Sequence, residues 1–282
     1  MLSKNIEVFM GCDKSYRDAS TVLFGAPFDS TTSYRPGARF GSAAMRRESY
    51  GIESYSPYQD LDLQDTNVID TGDLELCLGD TEKALGQIGQ QTKHILQAGK
   101  RPFMLGGEHL VTLGALRAVV KKYPDVHLIH FDAHADLRDD YLGAVLSHAC
   151  VLRRAWELVG DGRIFQFGIR SGTRGEFQWV REHVQTQRFC FDGLKETLAS
   201  LKGKPVYFTL DLDVLDPAVF PGTGTPEPGG VSFETLRQAA TIVCAEVEVV
   251  GCDVVELSPH YDMSGVSTIV ACEIVREMLL AL

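Results

Sequence analysis

Phe131-Asp132-Ala133-His134-Ala135-Asp136 follows an apolar run, Leu128, Ile129 and Phe131, of the kind that forms a strand buried on both faces of a parallel sheet. Three metal-binding side chains then occupy alternate positions. Residues two apart in an extended segment point to the same side, so Asp132, His134 and Asp136 converge at the strand's exit. Carboxylates gathered at the end of a core strand are costly unless something neutralises them, and a metal ion does so.

Outward from this stretch, strands and helices alternate. Apolar runs at 21–27, 68–70, 102–105, 164–169, 206–210 and 249–255 read as strands, with a short one at 189–191. Helices are expected at 81–98, with Asp80 as N-cap and Gly99 as the stop, and at 111–122, 147–159, 177–184, 194–201 and 233–246. Val266, Val270, Ile274 and Met278 mark a closing helix. The alternation predicts an α/β fold: a single three-layer α/β/α domain over residues 1–282 with a mostly parallel sheet. A polar loop after Phe28-Asp29, carrying Arg35-Pro36-Gly37 and Arg39-Phe40-Gly41, is long enough to be functional. The Pro/Gly-rich stretch 217–230 reads as an ordered loop over the site.

Composition narrows the class. With 44% hydrophobic and 23% charged residues the chain reads as an ordinary soluble globular protein. Residues 1–20 lack the apolar core of a signal peptide, and no segment has the apolar length of a membrane span, so the expectation is a cytoplasmic protein. Seven scattered cysteines fit reduced thiols rather than a disulfide framework. A net charge of −11 argues against nucleic acid or an anionic membrane as partner and is compatible with a cationic substrate.

In open parallel sheets, ligands bind outside the carboxyl ends of the strands. Four expected strands end in chemistry-bearing residues: His109 after Gly106-Gly107-Glu108, the Asp132/His134/Asp136 set, the pair Asp211 and Asp213, and Glu256. Two histidines and four aspartates suit two divalent ions better than one, because a single ion with six protein ligands has no open position. Two ions sharing carboxylates can keep a bridging water that ionises near neutral pH and acts as nucleophile. Nitrogen and oxygen donors without thiolate point to Mn²⁺, with Co, Ni, Zn and Fe open on chemistry alone. Four aspartates balance two divalent ions, so a hydroxide and Glu256 leave the site formally at minus two, which favours a cation such as a guanidinium.

Gly106-Gly107-Glu108-His109, the motif from Asp132 to Asp136, and Thr209-Leu210-Asp211-Leu212-Asp213-Val214-Leu215-Asp216-Pro217 together resemble the three signature motifs of the ureohydrolases, the arginase and agmatinase family. The likeness runs from about residue 25 to the C-terminus and implies the arginase/deacetylase-like fold. It implies one Mn²⁺ held by His109, Asp132, Asp136 and Asp211, and a second by Asp132, His134, Asp211 and Asp213, with a bridging hydroxide attacking the guanidinium carbon. It implies further that Glu256 orients the guanidinium, that Asp136 passes a proton to the leaving amine, that His148 exchanges protons with solvent, and that Thr225 lies close to the guanidinium. Homotrimers or homohexamers are the family's usual assemblies.

The loops 137–143, 223–230 and 258–262 resemble the agmatinase versions, and the first lacks the Asn/Ser pattern with which arginases hold an amino-acid carboxylate. Acidic residues Asp139, Asp140, Glu227 and Asp262 suit an amine tail. The resemblance therefore implies hydrolysis of agmatine to putrescine and urea, a step of polyamine biosynthesis. Aminopropylagmatine, guanidinobutyrate and arginine are the alternative substrates, and His260, where many agmatinases have proline, is a candidate to line the tail pocket. A metal-binding relative without catalysis would lack a ligand or Glu256, and a hydrolase of acetylated amines would lack the second histidine. Neither mark is seen. His94, His127 and His183 read as exposed or edge residues, His130 as either a satisfied core histidine or a hydrogen-bonding residue behind the metal site, Glu108 as a support or helix start, and Arg46-Arg47 and Arg153-Arg154 as solvated faces or subunit contacts.

Overall fold

The computed structural model describes residues 7–282; residues 1–6, part of the stretch read for a signal peptide, lie outside it. In chain order the strands are β1 (Thr21–Gly25), a small antiparallel pair β2 (Tyr55–Ser56) and β3 (Leu61–Asp62), then β4 (Val68–Asp73), β5 (Arg101–Leu105), β6 (His127–Phe131), β7 (Ile164–Ile169), β8 (Gln185–Arg188), β9 (Pro205–Asp211) and β10 (Glu248–Val255). The helices are α1 (Gly41–Glu48), α2 (Thr81–Gln97), α3 (Val111–Lys122), α4 (Val151–Val159), α5 (Arg174–His183), α6 (Leu194–Leu201), α7 (Phe233–Glu246) and α8 (Val266–Ala281).

Eight strands join in the order β4-β1-β5-β10-β9-β6-β7-β8, and every pairing between them is parallel. Continuous apolar sequence is what such strands require, since both faces are covered: β1, β7 and β9 are buried along their whole length. Successive residues feed opposite layers. Ile129 and Phe208 join Leu198, Leu236 and Ile274 on one face, whereas Leu128 and Tyr207 join Ile88, Leu116 and Leu152 on the other. Among the described residues no helix is long and apolar enough to cross a membrane.

The sheet order brings the four site-bearing strands together, β5-β10-β9-β6, at the centre of the sheet. Their register levels the exits. Leu105, Val254, Leu210 and Phe131 form one row across the four strands, and the candidate residues follow within a few positions of it.

Four expectations need correction. Helix α5 begins at Arg174 rather than 177, because Thr173 and Glu176 form a reciprocal capping box upstream of the first apolar residue. The short strand is Gln185–Arg188, not 189–191; it is a polar edge strand, and the chain turns out of it at Phe189, φ +67°, with a last pair of backbone bonds to Gly168 and Ile169, while Phe191 stacks on Phe131. The helix expected from 147 is a 3₁₀ turn up to Cys150 before α4. Arg46 is not on a solvated face: α1 turns it inward, 3% exposed, to pair with Asp70 and Asp73.

Candidate metal centre

Three loops interlock beneath the site because Gly107 has no side chain. Its missing Cβ would lie 1.9 Å from the carbonyl oxygen of Phe28. In that space the Glu108 amide donates to the Phe28 carbonyl at 2.7 Å and the Glu256 amide to the Gly107 carbonyl at 2.9 Å. The exits of β1, β5 and β10 are thereby tied, and the Glu256 carboxylate in turn accepts the His109 amide at 2.7 Å. Two of the residues concerned with charge hold left-handed backbone, Asp136 at φ +52° and Glu256 at φ +67°, a conformation that costs a non-glycine residue energy and persists only where the surroundings enforce it.

Asp132, His109, Asp211 and Asp213 are buried at the strand ends. His109 Nδ1 lies 3.0 Å from Asp132 Oδ2, 3.2 Å from Asp211 Oδ2 and 3.4 Å from Asp136 Oδ2. His134 Nδ1 lies 3.0 Å from Asp213 Oδ2 and 3.4 Å from Asp132 Oδ1. Two groups of ligand atoms fall within 4.8 Å of one another: His109, His130 and Asp132, and Asp132, His134 and Asp213. His130 is committed elsewhere. Its Nε2 sits 2.8 Å from Asp132 Oδ2 and its Nδ1 3.0 Å from the Gln166 amide nitrogen, so one tautomer, with Nδ1 accepting and Nε2 donating, satisfies both contacts and leaves no lone pair for an ion.

The charges are not balanced from within. Burial, and then Asp132, push the Asp136 carboxyl well above the usual range; burial, Asp213 and Asp132 do the same to Asp211. Burial also opposes ionisation of Asp132, but the three imidazoles around it, those of His109, His130 and His134, outweigh burial and hold that group well below the ordinary value. His109 Nδ1 is buried without a hydrogen-bond partner although three carboxylate oxygens surround it. An unpaired imidazole nitrogen among carboxylates that repel one another suits divalent cations, and the donor set of nitrogen and oxygen suits a hard to borderline metal.

Above these groups lies a cleft of about 460 Å³ lined by His134, Asp136, His148, Asp211, Thr225 and Glu256, and also by Arg35, Arg138 and Glu227. Burial, with Glu108 and Asp213 adding repulsion, raises Glu256 to about 8, so a cation is needed beside it to keep it ionised at neutral pH. His148 is half-buried; burial first, then the His134 imidazole, lower it to about 4 and leave it a neutral base. Thr225 Oγ1 donates to Asp213 Oδ2 at 3.3 Å.

Of the acidic residues assigned to the tail, only Glu227 lines the cleft. Asp139 pairs with Arg154 at 2.8 Å, Asp140 accepts the Gly143 amide, and Asp262 caps α8 through Ser267. His260 is exposed and packs edge-on against Phe40, away from the cleft lining. Residue type alone indicated negative charge in these loops; their hydrogen bonds consume it.

Three supports went unread in the sequence. Arg170 donates to the carbonyls of Asp213, Val214, Leu215 and Glu227 at 2.8–3.2 Å and so fastens the 217–230 loop to the strand end. Thr31 donates its hydroxyl to Glu108 Oε1 at 2.5 Å and accepts the His148 amide at 3.0 Å, linking the first loop to the histidine. Glu108 is fully buried, and burial raises it to about 7 against three hydrogen bonds from Thr31 and Thr32. The third support is Thr209 on β9, whose hydroxyl lies 2.5 Å from the Asp253 carboxylate on β10. A lone arginine or threonine has no spacing signal, whereas an Asp inside the apolar run of β10 is anomalous enough to have been noticed.

The Arginase family model matches residues 19–281. An agmatinase of Bacillus subtilis is 47% identical over 277 residues, 97% of this chain and 96% of that protein. A guanidinobutyrase of Pseudomonas aeruginosa is 38% identical, with 94% and 87% covered. The crystal structure of an agmatine ureohydrolase of Thermoplasma volcanium superposes with a TM-score of 0.89 at 35% identity, covering 99% of this chain and 94% of that one.

Proposed function

The chain belongs to the arginase family, and we propose that within it this protein hydrolyses agmatine to putrescine and urea. One observation carries the chemistry: four adjacent strand ends deliver an uncompensated set of buried carboxylates, with Glu256 beside them, to the floor of one cleft. Similarity to agmatinases over nearly the whole chain supports the substrate.

In this reading His109, Asp132, Asp136 and Asp211 hold one manganese ion and Asp132, His134, Asp211 and Asp213 the other. Bound there, the pair supplies a water activated for attack and neutralises the carboxylates. The remaining work falls to the chain. Glu256 accepts the guanidinium N–H groups and orients the carbon, with Thr225 close by. Asp136 takes a proton at its carboxylate and returns it to the departing amine nitrogen. Replacing the consumed hydroxide by a fresh water releases a second proton, which His148, neutral and in reach of the Thr31 and Ser33 hydroxyls, would pass to solvent. Glu227 supplies counter-charge for the tail ammonium. Residues 1–282 act as one ureohydrolase domain, assembled as a homotrimer or homohexamer in the cytoplasm, and the product enters polyamine synthesis.

A second reading has a specific observation behind it. Arg35 and Arg138 also line the cleft, which favours an anionic tail such as that of guanidinobutyrate. Both are partly committed: Arg138 Nε is 3.7 Å from Glu176 and its guanidinium lies over Tyr141, while Arg35 lies between Tyr34 and Tyr261. Urea release by protein loaded with Mn²⁺ tests both readings, with agmatine, guanidinobutyrate, aminopropylagmatine and arginine compared by kcat/KM. Agmatine is expected to be preferred; preference for guanidinobutyrate overturns the tail assignment and retains the chemistry.

A further inference from the structure

His109 has two ring nitrogens, and only one of them faces the carboxylates. The other, Nε2, lies 2.9 Å from the hydroxyl of Thr209, a β9 residue whose side chain is fully buried. The hydroxyl of Thr209 lies 2.5 Å from Asp253 Oδ1, and that of Tyr207 lies 2.6 Å from Asp253 Oδ2. Thr209, Tyr207 and Asp253 are buried on the central strands β9 and β10, away from the cleft lining.

Counting protons decides the directions. Burial raises the Asp253 carboxyl, but hydroxyls reach both of its oxygens and oppose that rise; ionised, it has no proton to give, so the one hydroxyl proton of Thr209 goes to Asp253, and Tyr207 likewise donates to the second oxygen. Thr209 then has only a lone pair to offer His109, which must supply the proton from Nε2. That leaves Nδ1 as a lone pair aimed at Asp132, Asp136 and Asp211, where it has no hydrogen-bond partner of its own.

We infer that Thr209 and Asp253 are positioning residues that fix His109 as the Nε2–H tautomer and thereby make its Nδ1 a ligand atom. The inference rests on the reading that the carboxylate cluster binds two metal ions. Carboxylates behind a metal-ligating imidazole raise its basicity and lock its ring, and losing such a partner costs about 10- to 100-fold in metal affinity. Here the carboxylate acts through a hydroxyl. The relay also accounts for an aspartate in the middle of an otherwise apolar strand: at 0% exposure Asp253 is retained for what it orients, not for solubility.

The test is manganese binding, read as free Mn²⁺ by electron paramagnetic resonance during titration of the metal-free protein with manganese chloride. Wild type is expected to bind two ions per subunit. Thr209→Val, which keeps the shape and removes the acceptor, is expected to weaken one of the two by about 10- to 100-fold, and Thr209→Ser to restore it. Tyr207→Phe takes one hydrogen bond from Asp253 just as Thr209→Val does but leaves the acceptor of His109 in place, and is expected to keep both affinities. Equal losses in Thr209→Val and Tyr207→Phe, or native affinity in Thr209→Val, overturn the assignment. Should Thr209→Val not fold, Asp253→Asn, which can hand Thr209 a donor instead of an acceptor, gives the same reading: a weakened single ion supports the relay and two native affinities refute it. Wild type that binds no manganese overturns the metal reading itself, a distinct outcome.

Discussion

Arg46 and His109 are each buried against carboxylates, and the two clusters are finished in opposite ways. Around Arg46 the protein supplies every partner. Asp70 accepts from Arg46 Nε and Nη2 at 2.7 and 3.0 Å and from the amides of Phe9 and Gly72 at 2.8 and 3.0 Å, and Asp73 pairs with the same guanidinium. Around His109 no arginine or lysine among the described residues enters the salt bridges of the cluster, and burial, then neighbouring carboxylates, push the Asp136 and Asp211 carboxyls up. A buried charge set that is complete belongs to folding; one that is left incomplete is waiting for cations from outside.

That contrast breaks most readily at Asp132, the carboxylate in contact with both histidines. Asp132→Ala is expected to lower kcat/KM for agmatine by about 10³-fold or more, since metal ions supply several kcal/mol of transition-state stabilisation. Thermal stability of the metal-free protein is expected to fall by less than in an Arg46 variant, because the lost hydrogen bonds of His130 and the His134 amide are offset by relief of repulsion with Asp136 and Asp211; a fall in Tm as large as that of an Arg46 variant would erase the distinction between the clusters. Arg46→Met tests the other side. Removing one partner of a buried pair is expected to cost about 3–5 kcal/mol in urea denaturation, with kcat per folded molecule unchanged.

His148→Ala sharpens the comparison at the cleft. It is expected to lower kcat by about 10²-fold with manganese stoichiometry intact, as for loss of a group that moves a proton rather than one that binds metal. The smallest effect is expected at Glu227. Its side chain is 39% exposed and bonded to Ser171 at 2.8 Å, so Glu227→Gln should raise KM for agmatine only a few-fold, in line with partly exposed ion pairs of about 0.2–1 kcal/mol. An unchanged KM would move tail recognition to another group.

The metal-ligand candidates were legible because chemistry and periodicity coincided: alternate polar residues at the exits of apolar runs have no other economical explanation. Strands buried on both faces were equally legible, as β7 shows, whose apolar run 164–169 is the strand itself. Where polarity misled, the reason was local. Residues 185–188 are hydrophilic and form an edge strand, and the acidic loop residues Asp139 and Asp262 spend their charge on Arg154 and on the cap of α8. Arg46 read as surface because charge usually is; only its pairing across to β4 makes burial affordable.

By itself the sequence determined the alternation of strands and helices, the apolar core and the residues able to bind metal, because each is written in period and residue type. Tertiary structure alone decided that β5, β10, β9 and β6 lie side by side with level exits, since neighbours in a parallel sheet are set by crossover connections and packing between distant segments. It also decided which nitrogen of His109 faces the carboxylates. That depends on a hydroxyl and a carboxylate brought from 100 and 144 residues away, and proton directions follow from who is adjacent in space, which no local pattern records.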